Sequence, residues 1–404
     1  MTTEYKLSAA APVVYPDEIE SGTPAVRDRT LRSVYDEMGM GSFCSSPVCI
    51  VGGGPAGLAA AIALSRAGRR VTVIDCATPP IDKACGEGLL PDSLAALQEL
   101  GIAIPEGSGA PFHGIRFLDA HSCVTADFPN GAGVGIRRTV LHELLFQRAE
   151  DLGVAFLWGA KNVRLLPGGV SVNGESVQAL VVGADGQNSQ IRREAGLSRI
   201  RSERRRYGFR RHYRIAPWSP YVELYWGARC QLYITPVSAG ELCVAMIARD
   251  SRLRLDDVLP DFPVVQSRLR TAIPVSRERG ALSVTRELHR VYANHVVLSG
   301  DAAGSVDAIT GEGMSLGFKQ ALALPQVLAS GDFERYQRMQ REISQRPRRM
   351  ASLLLLLERH PHLRSRVFAA LARQPQVFAS LLAVHVGGSC FARHKTPAHF
   401  AAGL

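Results

Sequence analysis

The sequence predicts an α/β fold in which a discontinuous Rossmann-like domain carries an inserted β-rich domain and ends in a helical C-terminal cap. Three observations predict it. From Val48 the chain reads V-C-I-V-G-G-G-P-A-G-L-A-A-A-I-A-L-S-R-A-G-R-R-V-T-V-I-D: an apolar strand, a glycine turn, a small-residue helix and a second apolar strand closed by an acid. That order is one βαβ unit. Two later apolar strands, far along the chain, run into Gly183-Ala-Asp-Gly and Ser299-Gly-Asp. Between them lie the segments Y-V-E-L-Y-W-G, Q-L-Y-I-T-P-V and E-L-C-V-A-M-I, rich in aromatic and β-branched residues as an antiparallel sheet requires.

Length and composition bound the function. The 404 residues, 46% hydrophobic and 21% charged, fill one large or two ordinary domains and exclude disorder and fibrous repeats. Eight cysteines without a CxxC pair exclude a disulfide scaffold, a zinc ribbon and a thioredoxin-like site, and point to thiols in a reducing cytoplasm. Residues 1–46 carry Glu4, Asp17, Glu18 and Glu20 and have no long apolar stretch, so they read as an N-terminal arm rather than a secretory signal. The longest apolar runs, such as 353–357, fall far short of the roughly 20 residues of a membrane span, so a soluble or peripheral protein is expected.

The net charge of +10 is concentrated: residues 335–404 hold eleven Arg and Lys395 against Glu342 and Glu358. A nucleic-acid binder needs a basic stripe with interleaved aromatics or a known module; neither is present, and no nucleic-acid partner is expected. The same seventy residues read as helices punctuated by Pro347, Pro361 and Pro375, basic on one side and apolar on the other. They are expected either to cover the open end of the domains with Arg in solvent or to make a peripheral membrane contact.

The first glycine turn has the chemistry of a pyrophosphate site. Gly52 permits the tight turn, Gly54 lets backbone amides approach the anion, Pro55 and Ala56 open the helix, and Gly57 lets that helix pack on the strand. Asp75 stands where an acid takes a ribose hydroxyl, which fits NAD or FAD and disfavours NADP at this site. The middle segment supplies Gly183, Asp185, Gly186, Ser189 and Arg192. The last supplies Gly300, Asp301, Gly311 and Gly313.

With all three segments in this order, at 52–75, 183–192 and 300–313, the chain resembles the FAD-dependent oxidoreductases of the glutathione-reductase structural class. Geranylgeranyl reductases and aromatic-hydroxylase-type (class A) flavin monooxygenases look nearest. The resemblance implies a discontinuous FAD-binding domain at 47–112, 134–200 and 291–330, a β-rich substrate domain at 113–133 and 201–290, and a helical region at 331–404. It implies that Asp301 accepts from the ribityl chain and that Thr310, Gly311, Glu312, Gly313 and Met314 open a helix toward the flavin N1 and C2 carbonyl. Asp185 and Gly186 would touch FAD, and Arg138, at a helix start, would contact the cofactor. NADH or NADPH would be the electron donor.

The segment D-K-A-C-G-E-G-L-L resembles the Cys-Gly-x-Gly-Leu segment of geranylgeranyl reductases, which puts Cys85 beside flavin and substrate as a proton donor or as pocket wall. Two of the three aromatics of those reductases' Tyr-x-Trp-x-Phe-Pro segment are missing at Gln231, Tyr233, Thr235 and Pro236, and Ala308 replaces a frequent Pro. Tyr213, Trp218, Tyr225, Trp226 and Tyr233 are candidates for lining a site for a lipophilic or aromatic molecule, or are plain sheet core. His212 and His289 are expected to be satisfied structural groups, and His360-Pro-His362 is not a metal-ligand spacing, so no metal is expected. The halogenase Trp-x-Trp-x-Ile-Pro segment and the G-x-S-x-G elbow do not occur. The expected function is an FAD-dependent, NAD(P)H-driven monooxygenase hydroxylating or epoxidising such a molecule. The alternatives are an ene-reductase of geranylgeranyl reductase type and, from another class, a membrane-associated flavin-binding partner without turnover.

Overall fold

A computed structural model describes residues 47–386; the proposed arm at 1–46 and the end of the helical region lie outside the described residues. At the centre is a six-stranded sheet in the order Tyr292–Ala293, Val296–Leu298, Leu180–Gly183, Val48–Val51, Val71–Ile74, Ala155–Leu157. It is parallel except for the terminal hairpin. The strands read as unbroken apolar runs because both faces are covered, and Val48, Ile50, Val73 and Ile74 are fully buried. Three chain segments far apart in sequence thus meet at adjacent C-terminal strand ends, where ligands bind in open α/β sheets.

The helices are α1 (Pro55–Arg66), α2 (Pro91–Glu99), α3 (Arg138–Asp151), α4 (Gln190–Glu194), the short α5 (Leu255–Val258) and α6 (Pro263–Leu269), then α7 (Gly313–Ser330), α8 (Phe333–Arg359), α9 (Pro361–Arg373) and α10 (Pro375–Val386). Small residues let α1 lie close to its neighbours. A Cβ on Gly57 would collide with the Gly52 carbonyl, and Cβ atoms on Gly300 or Gly317 would press on the Ala56 methyl.

The second sheet has eight strands. Gly114–Leu118 and Cys123–Asp127 continue it beyond Tyr221–Trp226, Cys230–Ser238, Glu241–Ala248 and the long Ile200–Arg214. Helices α8 to α10 pack across its Phe117 and Trp226 side: Phe117 stacks on Phe368 with ring centroids 5.8 Å apart. Pro347 does not punctuate this region as expected but lies inside α8. The break costs about 3 kcal/mol. It is outweighed by the buried face of Tyr336, Ala351, Leu354 and Leu357, at about 1.5–3 kcal/mol for each large side chain. Pro361 and Pro375 do begin new helices. No single helix among the described residues is long and apolar enough to cross a membrane, although α9 and α10, bent by 105°, pass that test as a pair.

Candidate active site

A cavity of about 880 Å³ runs from the central sheet's strand ends, between the two sheets, to the C-terminal helices. Its first end is backbone and short side chains. Gly52 has φ +114°, and a Cβ there would meet the Ala184 carbonyl, so only glycine fits. Gly54 caps α1 with open space around it, and Gly54, Pro55 and Ala56 line the cavity. Gly57 does not line it; its part is the close packing of α1. Asp75 lines the cavity with its two oxygens held by Gly53 N–H at 2.6 Å and Ala77 N–H at 2.8 Å. A carboxylate so fixed keeps lone pairs for a ribose hydroxyl.

The other two glycine segments close on the same space. Gly186 and Gly311 have φ of +77° and +70°, and Gly311 and Gly313 stand in open space at the amino end of α7, with Met314 beside them on the cavity wall. That helix end presents unpaired N–H groups and a partial positive charge. Gly300 donates its N–H to Gln320 at 2.7 Å, leaving Asp301 to face the cavity with Lys83 3.9 Å from its carboxylate. Asp185 spends one oxygen on the α4 amides of Gln190 and Ile191, at 2.7 and 3.1 Å, while its Oδ1 is buried without a partner. Arg138 opens α3 on the cavity wall, and its Nε is likewise buried without a partner. Arg192 does not reach the cavity but ties α4 to the Ala302 and Gln187 carbonyls.

Glu312 departs from its expected place. Its side chain is 2% exposed and turns from the cavity toward α10, with Oε2 3.3 Å from His385 Nε2. As the N-cap residue of α7 it stands between the cavity-lining Gly311 and Gly313 but does not itself line the cavity.

Cys85 lines the cavity, and its sulfur accepts from the Glu87 N–H at 3.4 Å. Glu87 itself was not singled out by sequence reading. It is 1% exposed, has φ +60°, and holds three elements together. One oxygen accepts from Arg138 N–H at 3.0 Å, the other bonds His212 Nε2 at 2.6 Å, and Arg210 lies 3.9 Å away. Arg210 donates to His212 Nδ1 at 3.1 Å and, having no acceptor, obliges that nitrogen to accept; Nε2 therefore carries the proton given to Glu87. Burial opposes ionisation of Glu87, but the His212 hydrogen bond and the Arg210 charge hold it below the usual carboxylate range. Glu87, His212 and Cys243 bring ligand-type atoms within 4.8 Å of one another, but the first two are engaged with each other and Arg210, and burial pushes the Cys243 thiol well up.

Of the five candidate aromatics only Tyr233 reaches the cavity, donating its hydroxyl to the Ile309 carbonyl at 3.1 Å. Trp218 and Tyr225 both donate to Glu223, and Trp226 packs on Phe117 and Phe368. The far end of the cavity is apolar, part aromatic and part aliphatic: Phe117, Phe368 and Phe378 line it with Leu354, Leu357 and Leu382, then Leu353, Leu356 and Leu381 at 40–44% exposure.

A family model described as FAD binding domain matches residues 45–213. Menaquinone reductase of Mycobacterium tuberculosis is 31% identical over 320 residues, covering 72% of this chain and 78% of that protein. The chain belongs to the FAD-dependent oxidoreductases. Digeranylgeranylglycerophospholipid reductase 2 of Methanopyrus kandleri is 28% identical over 66% of this chain and 72% of its own. The fold is shared with the flavin-dependent brominase Bmp2 (TM-score 0.72, 19% identity, 86% of this chain and 94% of that one). It is also shared with a geranylgeranyl bacteriochlorophyll reductase-like protein of Thermoplasma acidophilum (TM-score 0.67, 20% identity, 83% and 91%).

The residues present fit FAD. The glycine cradle leaves room for a pyrophosphate at α1, Asp75 and Asp301 offer carboxylates at two separate points, and the lone Arg138 Nε and Asp185 Oδ1 are polar atoms awaiting partners. If the Arg138 guanidinium holds the cofactor, Arg138→Ala would remove one charge-assisted contact worth about 1.5–3 kcal/mol and is expected to weaken FAD binding roughly ten- to a hundredfold, read by flavin titration of the deflavinated protein.

Proposed function

We propose that this oxidoreductase saturates carbon–carbon double bonds in the isoprenoid chain of a membrane lipid such as a prenylated quinone, with NADH or NADPH as electron donor. The observation that carries the reading is the shape and lining of the cavity, which begins at the flavin cradle and ends among exposed leucines of α8 and α10. A long apolar chain fits such a lining of leucine and phenylalanine. The relatives named as reductases of menaquinone and of a geranylgeranyl lipid support it. Oxygenation, the reaction expected from the generic flavin site, needs no cavity of this length.

FAD, when bound, supplies the hydride. Glycine amides and Asp75 hold the cofactor's adenosine half, Asp301 its ribityl chain, and the amino end of α7 favours negative charge at the pyrimidine edge. Cys85, Tyr233 and Thr235 form the wall where the lipid chain would pass, and the apolar walls beyond them exclude water.

The rim suggests how the lipid arrives. Leu353, Leu356, Leu363, Val377, Leu381 and Val384 are exposed beside Arg359, Arg366 and Arg373, and α9 and α10 contain no acid. An apolar rim within a cationic surface suits an anionic bilayer. Val384→Glu, at a side chain 66% exposed, is expected to cut binding to anionic vesicles about tenfold in a sedimentation assay, with flavin content retained. The function is tested by anaerobic incubation with menaquinone and NADH or NADPH, followed by mass spectrometry. A product that remains heavier by one hydrogen molecule per reduced bond after any quinol has been reoxidised to quinone in air supports the proposal, and a lipid that returns to its starting mass, or one that gains oxygen only when air is admitted, overturns it.

A further inference from the structure

The first glycine turn is held from behind by a side chain that does not line the cavity. His142 on α3 is fully buried, and its Nε2 lies 2.9 Å from the Gly53 carbonyl oxygen. A carbonyl can only accept, so the imidazole proton that bonds it is carried on Nε2. Nδ1 is then a bare acceptor, and it has no hydrogen-bond partner among the described residues. Burial, joined by the Arg138 charge and opposed by the Gly53 carbonyl, holds His142 below the usual histidine range, so the ring is neutral and has a single N–H to give. Space filling alone does not account for a histidine here. An apolar side chain would occupy the site without burying an unpaired nitrogen, and what the histidine adds is the donor on Nε2.

The Gly53–Gly54 peptide carries this grip through to the cavity. The peptide is trans, and in a trans peptide the carbonyl of one residue and the N–H of the next point in opposite directions. With the Gly53 carbonyl turned back to α3, the Gly54 N–H is turned away from it. Gly54 lines the cavity, stands in open space, and gives its N–H to no acceptor among the described residues. Gly53 is fixed at its other end as well, where its N–H donates to Asp75 Oδ2 at 2.6 Å, and a Cβ on it would enter the Trp158 ring. Arg138, one turn before His142 on the same face of α3, reaches the cavity wall directly.

We propose that His142 is a positioning residue for FAD: its Nε2–H pins the Gly53 carbonyl, so that the Gly54 N–H of the same peptide is presented to the pyrophosphate of the cofactor. A donor on the carbonyl also polarises the peptide and strengthens the N–H on its other side. The proposal rests on FAD binding and is independent of what the reduced flavin acts on.

Three substitutions and a measurement on the wild type test it. Glutamine places its amide nitrogen as many bonds from Cα as Nε2 of histidine, so His142→Gln keeps a donor for the carbonyl; the amide of His142→Asn falls one bond short, and His142→Leu has none. Titration of the deflavinated proteins with FAD should show binding roughly ten- to a hundredfold weaker in His142→Leu and His142→Asn, and within a few-fold of the wild type in His142→Gln. The phosphorus NMR resonances of bound FAD should move in the two weak variants and stay in place in His142→Gln. Equal affinity in all four proteins overturns the proposal, as does a loss in His142→Gln as large as in His142→Leu. Weaker binding with unmoved phosphorus resonances is the mark of lost packing and overturns it too. Nitrogen NMR of the histidine-labelled wild type decides the matter even where the variants do not fold. The His142 proton should be found on Nε2 and should shift when FAD is added, and a proton on Nδ1, or one on Nε2 that is indifferent to FAD, overturns the proposal.

Discussion

Replacing Glu87 by Ala is expected to destabilise the protein by about 3–5 kcal/mol, the usual cost of breaking a buried ion pair from one side. Arg210 and His212 would be left without the carboxylate that they share, both almost wholly buried, with Asp82 as the remaining acid on Arg210. The backbone adds a second cost, since Glu87 at φ +60° is held in a conformation that a non-glycine residue adopts only when its surroundings enforce it. Urea unfolding of the wild type and the variant reads the difference. The pH dependence has a definite sign. Because the folded-state pKa of Glu87 is lowered, its contribution is fully present above the ordinary carboxylate pKa and is lost as pH falls through the lower folded value. Glu87→Gln should lack that acid limb. An unchanged midpoint and an unchanged acid limb in Glu87→Gln would show that the cluster is not coupled to folding.

The second large effect separates fold from cofactor. Gly52→Ala is expected to abolish FAD retention and to lower stability strongly, because the new methyl would enter the Ala184 peptide at a backbone angle of φ +114°. Gly54→Ala should differ in kind. At φ −71° an alanine is unstrained, and no atom lies within 4 Å of its Cβ, so the variant should fold as well as the wild type. It should nonetheless bind FAD weakly, since the methyl occupies the approach to the pyrophosphate. Flavin absorbance of the purified variants, set beside their unfolding midpoints, distinguishes the two. Equal stability of Gly52→Ala and wild type would contradict the packing described.

The flavin cradle was legible in the sequence because its physics is local. Buried parallel strands must be apolar along their whole length, a turn at φ +114° must be glycine, and a helix lying against Gly52, Gly300 and Gly317 must be made of small residues. Each demand leaves its mark within a few positions. The rest of the site is not local. Glu87 and His212 are 125 residues apart, and nothing near either one announces the other. Glu312 lies in a turn that resembles a cofactor-binding motif, and only the return of α10 shows that its carboxyl faces His385 instead. Trp226 and Tyr233 follow the same strand pattern, yet one packs under α9 while the other faces the cavity, a choice made by sheet register and by the helices laid across it. A proline such as Pro347 signals a helix end locally, but the apolar face of α8 outweighs the hydrogen bond that it removes.

The central claim, that the reduced protein gives its electrons to a lipid double bond, is tested most directly by a single turnover without oxygen. The flavin is reduced with a stoichiometric amount of NADH or NADPH, mixed anaerobically with menaquinone in vesicles, and followed by its absorbance while the lipid is analysed. The account predicts flavin reoxidation in the absence of oxygen, matched by an equal amount of lipid that stays heavier by one hydrogen molecule after air has returned any quinol to quinone. A flavin that stays reduced until air is admitted, followed by a lipid that gains oxygen, would contradict it.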